Sequence, residues 1–240
     1  MKKFAVFDID GTLYRWQLYH ELVQTLALAG VFPENAPREL DEYYNKWRGG
    51  EMTFLEYESF VIGLMTKNLP LVPIATFEAA CDKVVEQSAH KTYLYPKALL
   101  QDLKARDYTI IAITGSQQEL IDRFGKRYGF DIVVGAGYER SDGHFTGKTE
   151  VLTVGRKPEI LREIVEAHEL SWQDSLAIGD SAGDAGILEM VEQPIAFNPD
   201  DGLLTRAKAE GWLVVIERKN IAYKLEKKGN DLVLADTIIY

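Results

Sequence analysis

Phe4-Ala5-Val6-Phe7-Asp8-Ile9-Asp10-Gly11-Thr12-Leu13 is a short run of aromatic and β-branched residues that stops at two aspartates spaced i, i+2. Such a run reads as a buried strand, and the glycine after it lets the chain turn. Two carboxylates therefore lie at the carboxyl end of a strand, the edge at which open α/β sheets bind ligands. Aspartates this close raise each other's cost of ionisation unless a cation lies between them, and a hard cation that prefers oxygen, such as Mg2+, meets that need. Asp-x-Asp-Gly is also a common surface turn. The choice between the two readings rests on whether groups of matching chemistry recur downstream.

After Leu13 the pattern turns helical: Trp16, Tyr19, Leu22, Val23, Leu26 and Ala27 share one face, and Gly30 closes the helix. Further helical patterns run from about Pro37 to Trp47, Thr53 to Thr66 and Pro73 to His90, each begun by a proline or hydroxyl residue. So many helices before any second strand predict an inserted helical cap over residues 14–93. Alternation of strand and helix follows: a helix over Pro96 to Arg106, a strand Tyr108 to Ile113 ending in Thr114-Gly115-Ser116, and a helix Gln118 to Tyr128. A short strand at Ile132 to Val134 leads to a hairpin turn at Asp142-Gly143, and Pro158 opens a helix to about His168. The strand Ser175 to Ile178 ends in Gly179-Asp180-Ser181-Ala182-Gly183-Asp184, with a helix to about Val191 and strands at Pro194 to Phe197 and Trp212 to Ile216. The fold class predicted is α/β: a doubly wound, Rossmann-like parallel sheet from residues 1–13 and 94–240, carrying the helical cap.

Composition narrows the function. A chain of 240 residues with 46% apolar content suits a soluble globular protein. A net charge of −10 argues against a general nucleic-acid surface. Cys81 is the only cysteine, so no intrachain disulfide forms and no Cys/His cluster offers zinc a site. The aspartates end the first apolar run too early for a signal peptide or membrane span, and the sequence is read as cytoplasmic with no membrane partner. His20, His90, His144 and His168 are scattered and spell no Ser-His-Asp arrangement.

Three predicted strands end in polar or acidic groups, Asp8 and Asp10, Thr114, then Asp180 and Asp184, and a parallel sheet brings such ends to one edge. In this order the motifs resemble the haloacid dehalogenase superfamily of phosphatases, over residues 3–13 and about 95–212. The resemblance implies a Mg2+-dependent phosphomonoesterase acting on a small phosphorylated metabolite. Asp8 would attack phosphorus to form an aspartyl-phosphate, and Asp10 would protonate the leaving oxygen and then activate water. By the same resemblance Mg2+ would be held by Asp8, the Asp10 main-chain carbonyl and Asp180, with Asp184 behind them, while Thr114 and the Gly115 amide bind phosphoryl oxygens at a helix N-terminus. One cation must balance the transferring group. Lys157, beside Pro158 in Arg-Lys-Pro-Glu-Ile-Leu, is preferred over Lys148.

The closer resemblance is to phosphoserine phosphatases, and it departs at specific positions. Gln17 stands nine residues after Asp8, where those enzymes carry a glutamate for the substrate amine. No arginine lies between Arg48 and Arg106 to receive a substrate carboxylate, and Gly183 stands where asparagine is usual. Phosphoserine is therefore expected to be a poor substrate. Two other readings stay open: phosphotransfer or mutase action through the same intermediate, and a non-catalytic phosphate-binding protein. The cap aromatics Trp16, Tyr19, Tyr43, Tyr44, Trp47, Phe54, Tyr57 and Phe60 are read mainly as packing, and Cys81 as core.

Overall fold

A computed structural model describes residues 2–240. Its centre is β1 (Lys3–Phe7), paired in parallel with β2 (Thr109–Gln117) on one side and β5 (Ser171–Gly179) on the other. Outward from β2 lie β3 (Ile132–Ser141) and β4 (His144–Val151). Outward from β5 lie β6 (Gln193–Phe197), β7 (Leu213–Arg218), β8 (Ile221–Lys228) and β9 (Asp231–Ile239). The sheet order is β4-β3-β2-β1-β5-β6-β7-β8-β9, with β4, β8 and β9 antiparallel to their neighbours.

The central strands read as continuous apolar runs because both faces are covered. Side chains along a strand alternate between faces. Ala5 and Phe7 accordingly enter one apolar cluster while Phe4 and Val6 enter another, and Ile110 and Ala112 likewise part from Ile111 and Ile113. On the second face pack α7 (Lys157–Ala167), the short α8 (Ala185–Leu188) and α9 (Asp201–Glu210). On the first lie α5 (Leu94–Ala105) and α6 (Gln118–Tyr128), the latter ended by Gly129 in the left-handed conformation at φ 69°.

Between β1 and α5 the chain forms α1 (Leu18–Leu28), α2 (Ala36–Arg48), α3 (Phe54–Asn68) and α4 (Ile74–Ser88). The start of α3 follows from its sequence: Thr53 accepts from the Glu56 amide while the Glu56 side chain reaches back to the Thr53 amide, a reciprocal cap. Apolar residues of these helices share one unbroken cluster with the first sheet face, and Cys81 is buried in it. The segments entering and leaving the helices are tied together: the Tyr93 amide donates to the Leu13 carbonyl at 3.0 Å and the Arg15 amide to Lys91 at 2.9 Å. Among the described residues no helix is long and apolar enough to cross a membrane.

Five elements differ from the sequence expectation. The helix expected to run to Val191 stops at Leu188 after a 3-10 turn at Ala182–Asp184. The expected strand at Ile132 to Val134 extends to Ser141, paired with β4. The β8–β9 hairpin and α9 were not predicted. In β9 nearly every residue is at least partly exposed, so a buried apolar run, the signal sought for strands, is missing there.

Candidate active site

Register fixes the convergence at the sheet edge. Phe7 is level with Ala112 on β2 and Ile178 on β5, so the residues that follow these positions on all three segments meet at one place. The Asp8 amide continues the ladder to the Ile178 carbonyl at 2.9 Å, which holds the first carboxylate rigidly over the edge. Gly11 then turns the chain at φ 87° against Asp180, and a Cβ at Gly11 would lie 2.1 Å from Asp180 Oδ2. Only glycine satisfies both the conformation and the approach.

Asp8 is 5% exposed, and its Oδ1 accepts from Lys157 Nζ at 2.7 Å. The same ammonium donates to Asp184 Oδ1 at 2.6 Å. Burial opposes the charge on Lys157, but the Asp184 and Asp8 carboxylates outweigh it and hold the amine protonated well above the usual lysine range. Lys157 reaches this position from the first turn of α7, whose Pro158 presets the helix start. Lys148, the alternative, is exposed on β4, with its ammonium 3.5 Å from Glu139. Asp184 Oδ2 accepts from the Asp180 and Ser181 amides and the Ser181 hydroxyl, so one oxygen shapes the loop while the other holds Lys157. Asp180 Oδ1 accepts from the Thr12 hydroxyl at 3.0 Å. Asp200, beyond β6, caps α9 and also accepts from the Ala182 amide, bracing the acidic loop from behind.

Asp10 faces the helices. Its Oδ1 accepts from the Leu18 amide at 2.6 Å, so this carboxylate caps the N-terminus of α1, where the Gln17 side chain makes no cap. Its Oδ2 accepts from the Thr114 hydroxyl at 2.9 Å and the Ser116 hydroxyl at 2.6 Å. Burial pushes the Asp10 carboxyl upward, against the Ser116, Leu18 and Thr114 hydrogen bonds that favour its charged form. Thr114 is fully buried and its hydroxyl is spent on Asp10, while Gly115 is exposed at the strand end. Ser116 and Thr12 were named in the sequence only as parts of motifs. Their tie to the aspartates arises because β2 runs past Thr114 to Gln117 and because Thr12 follows the Gly11 turn.

Asp8, Asp180 and Asp184 each offer an oxygen within 4.8 Å of the others. Burial first, then the neighbouring carboxylates, pushes Asp8 and Asp180 above the usual range. Asp8 Oδ2 is buried and has no hydrogen-bond partner. An all-oxygen donor set, crowded negative charge and an orphaned carboxylate oxygen together fit a hard divalent cation.

A sequence profile of haloacid dehalogenase-like hydrolases matches residues 5–189. A phosphoserine phosphatase of Archaeoglobus fulgidus is 27% identical over 84% of this chain and 54% of its own, so the chain spans about half the length of that relative. A histidinol-phosphatase of Neisseria meningitidis serogroup C is 25% identical over 90% of this chain and 99% of its own. Among solved structures, a protein of unknown function from Bordetella pertussis Tohama I has a TM-score of 0.72 at 24% identity, covering 90% of this chain and 99% of that one. A phosphoserine phosphatase described as a phospho-aspartyl intermediate analogue has a TM-score of 0.60 at 21% identity, covering 91% and 94%. The profile takes in β1 with its aspartates, the end of β2, Lys157 and the acidic loop alike, and the chain belongs to the haloacid dehalogenase-like hydrolases, within which it is phosphoserine phosphatase-like.

Proposed function

We propose that this protein is a Mg2+-dependent phosphatase that hydrolyses a small phosphate monoester through a phosphorylated Asp8. The observation that carries the reading is the state of Asp8: Lys157 holds one oxygen, and the other is buried beside an acidic cluster without a partner. In the first step the Asp8 carboxylate forms a bond to phosphorus as the ester P–O bond breaks, and Asp10 gives its proton to the leaving oxygen. The raised pKa of Asp10 supports that role. In the second step Asp10, now a carboxylate, takes a proton from water as the water oxygen attacks phosphorus, releasing phosphate and restoring Asp8. Mg2+, held by Asp8, the Asp10 carbonyl and Asp180, would offset the repulsion between carboxylate and phosphate.

Lys157 supplies the fixed positive charge for the phosphoryl oxygens, and Asp184 positions it. The Gly115 amide and the Thr114 hydroxyl would bind phosphoryl oxygens as well, Thr114 only by exchanging its bond to Asp10. Residues 14–93 act as a cap over a core of residues 1–13 and 94–240. The paired segments around Leu13 and Tyr93 and the Leu18–Asp10 hydrogen bond support that division. The charge balance and the single buried cysteine are compatible with the cytoplasmic reading. The test is release of inorganic phosphate from p-nitrophenyl phosphate and small metabolite esters with and without Mg2+. Phosphate release that requires Mg2+ is expected. No release from any ester, or equal release in a chelator, would overturn the reading.

A further inference from the structure

The segments that join α1–α4 to the sheet are fastened by a buried carboxylate that the phosphoryl chemistry does not use. The chain leaves β1 through Tyr14 and Arg15 and returns through Thr92 and Tyr93, and Tyr14 pairs antiparallel with Thr92. Arg15 adds a side-chain tie: its Nε donates to the Thr92 carbonyl at 2.7 Å, and its guanidinium lies 4.8 Å from the centre of the Tyr93 ring. Its Nη2 donates to Glu217 Oε1 at 2.7 Å. The side chain of Glu217, on β7, is fully buried, whereas that of Arg15 is partly exposed.

The same carboxylate accepts from the Leu94 amide at 3.1 Å and, on Oε2, from the Tyr95 amide at 2.8 Å. These are orphan donors of the first turn of α5, whose N-cap residue Tyr93 supplies no side-chain cap, and a negative charge is favoured there. Glu217 is itself held in place, its amide donating to Asn198 Oδ1 at 2.8 Å and the Asn198 amide to the Val215 carbonyl at 2.8 Å. One carboxylate thus binds the outgoing segment through Arg15 and the returning one through α5. A carboxylate taken out of water is tolerable only with such partners, and all three belong to the joint. Glu217 lies beyond residues 5–189, the stretch that the family profile matches.

The joint leads directly to the reacting groups. The Gly11 amide donates to the Tyr14 and Trp16 carbonyls, each at 3.0 Å, and the Leu18 amide donates to Asp10 Oδ1 at 2.6 Å. The short run from Tyr14 to Leu18 therefore carries both the arginine that Glu217 grips and the donor that orients Asp10. We propose that Glu217 is a positioning residue: through Arg15 and the start of α5 it locks the two joining segments, and so sets where the Leu18 amide holds Asp10 against the leaving oxygen. This rests on the phosphatase reading and on the role of Asp10 within it. Loss of the Glu217 charge leaves Arg15 without its ionic partner and frees the run to Leu18 to shift. Proton donation by Asp10 then weakens, because displacements of about 1 Å already cost rate.

The experiment compares kcat/KM at one Mg2+ concentration for p-nitrophenyl phosphate and phenyl phosphate, aryl esters of similar shape whose leaving oxygens differ in their need for a proton. The proteins are the wild type, Glu217→Gln, Arg15→Gln, the double variant and Asp10→Asn. Glu217→Gln keeps an oxygen for the α5 amides and removes the charge. Each of the first two single changes should lower kcat/KM for phenyl phosphate about fivefold further than for p-nitrophenyl phosphate, and Asp10→Asn should widen the gap more. The double variant should widen it no further than the larger single change, since the two residues act as one unit. Both esters are compared in one preparation, so a fall in folded protein cancels from the ratio. Hydrogen exchange should rise in residues 13–18 and 92–95 of Glu217→Gln and stay unchanged in β5. An unchanged ratio in both single variants, or exchange rising equally across the sheet, overturns the proposal. If Asp10→Asn alone widens the gap, this inference falls and the phosphatase reading stands. If the wild type releases phosphate from neither ester, that reading falls with it.

Discussion

At the carboxyl edge of the sheet, Asp8, Asp184 and Lys157 are buried in mutual contact and Asp180 lies beside them. In the helices between β1 and α5 it is rings that pack on rings: Trp47 stacks on Tyr57 with centroids 5.6 Å apart, and Tyr43 on Phe60 at 3.7 Å. The first arrangement is specific and fragile, because each buried charge is tolerable only while its partner is present. The second is additive and forgiving, because each ring contributes area and a modest geometric term that a similar apolar residue partly replaces. Substitutions at the edge should therefore act on chemistry out of proportion to the volume changed, and substitutions among the helices should act on stability in proportion to it.

The largest effect should come from Asp8→Asn, which keeps the size of the side chain and the ladder bond to Ile178 but removes the proposed nucleophile. Turnover should fall by a factor of about 10^4 or more, at a level that oxyanion-type stabilisation alone supports. A folded variant with near-normal phosphate release would break the contrast at its centre. Next, Lys157→Met should abolish most activity and leave Asp8 and Asp184 without their shared counter-charge. A loss of about 3 kcal/mol in denaturant unfolding is expected, and added Mg2+ should recover part of it. Equal stability in the two proteins without Mg2+ would show that the carboxylates do not depend on the ammonium.

Asp10→Asn sharpens the comparison from the other side, since Asp10 belongs to the edge but caps α1. With p-nitrophenyl phosphate, whose leaving phenol is acidic, formation of the phosphorylated enzyme should change little. With an alkyl ester it should fall by about 10^2 or more. Equal damage to both would reassign Asp10 to a purely structural role at the start of α1.

The edge was legible in the sequence because its information is local. Asp8, Asp10 and Gly11 are adjacent, Lys157 announces itself beside a proline that starts a helix, and Asp180 and Asp184 follow a buried strand. The first strand, most of the helices and the parallel sheet were legible for the same reason, since each carries its own period and punctuation. Ring packing among the helices meets the expectation of core aromatics only in part: Tyr57 is buried, Tyr44 is exposed, and Trp16, Tyr19, Tyr43, Trp47, Phe54 and Phe60 are half-buried against the core. What sequence could not display is long-range partnership. The Thr114 hydroxyl was expected on a phosphoryl oxygen and is found on Asp10, a partner 104 positions away, because β2 runs beside β1 and carries Thr114 past its end. Gln117 drew no notice, since nothing in its neighbours says that it is completely buried. The β8–β9 hairpin escaped because an exposed edge need not be apolar.

The smallest effect tests whether the helices hold any charge-sensitive group of their own. His20 is 4% exposed among Trp16, Tyr19, Phe54 and Tyr57, its Nδ1 has no partner, and burial lowers its pKa to about 4. A base whose folded pKa is depressed favours the native state above its unfolded value of about 6.5. Below that pH the unfolded chain binds a proton that the native protein refuses, so stability falls as the pH drops towards 4 and then levels off for this group. The slope from one histidine is no more than about 1.4 kcal/mol per pH unit. His20→Gln, neutral throughout, should flatten the stability profile between pH 6.5 and 4 relative to the wild type. Parallel profiles in urea unfolding at several pH values would mean that His20 is hydrated in the folded protein. The ring cluster would then be less dry than its geometry implies, and the contrast between a charged edge and the ring-packed helices would lose its sharpest point.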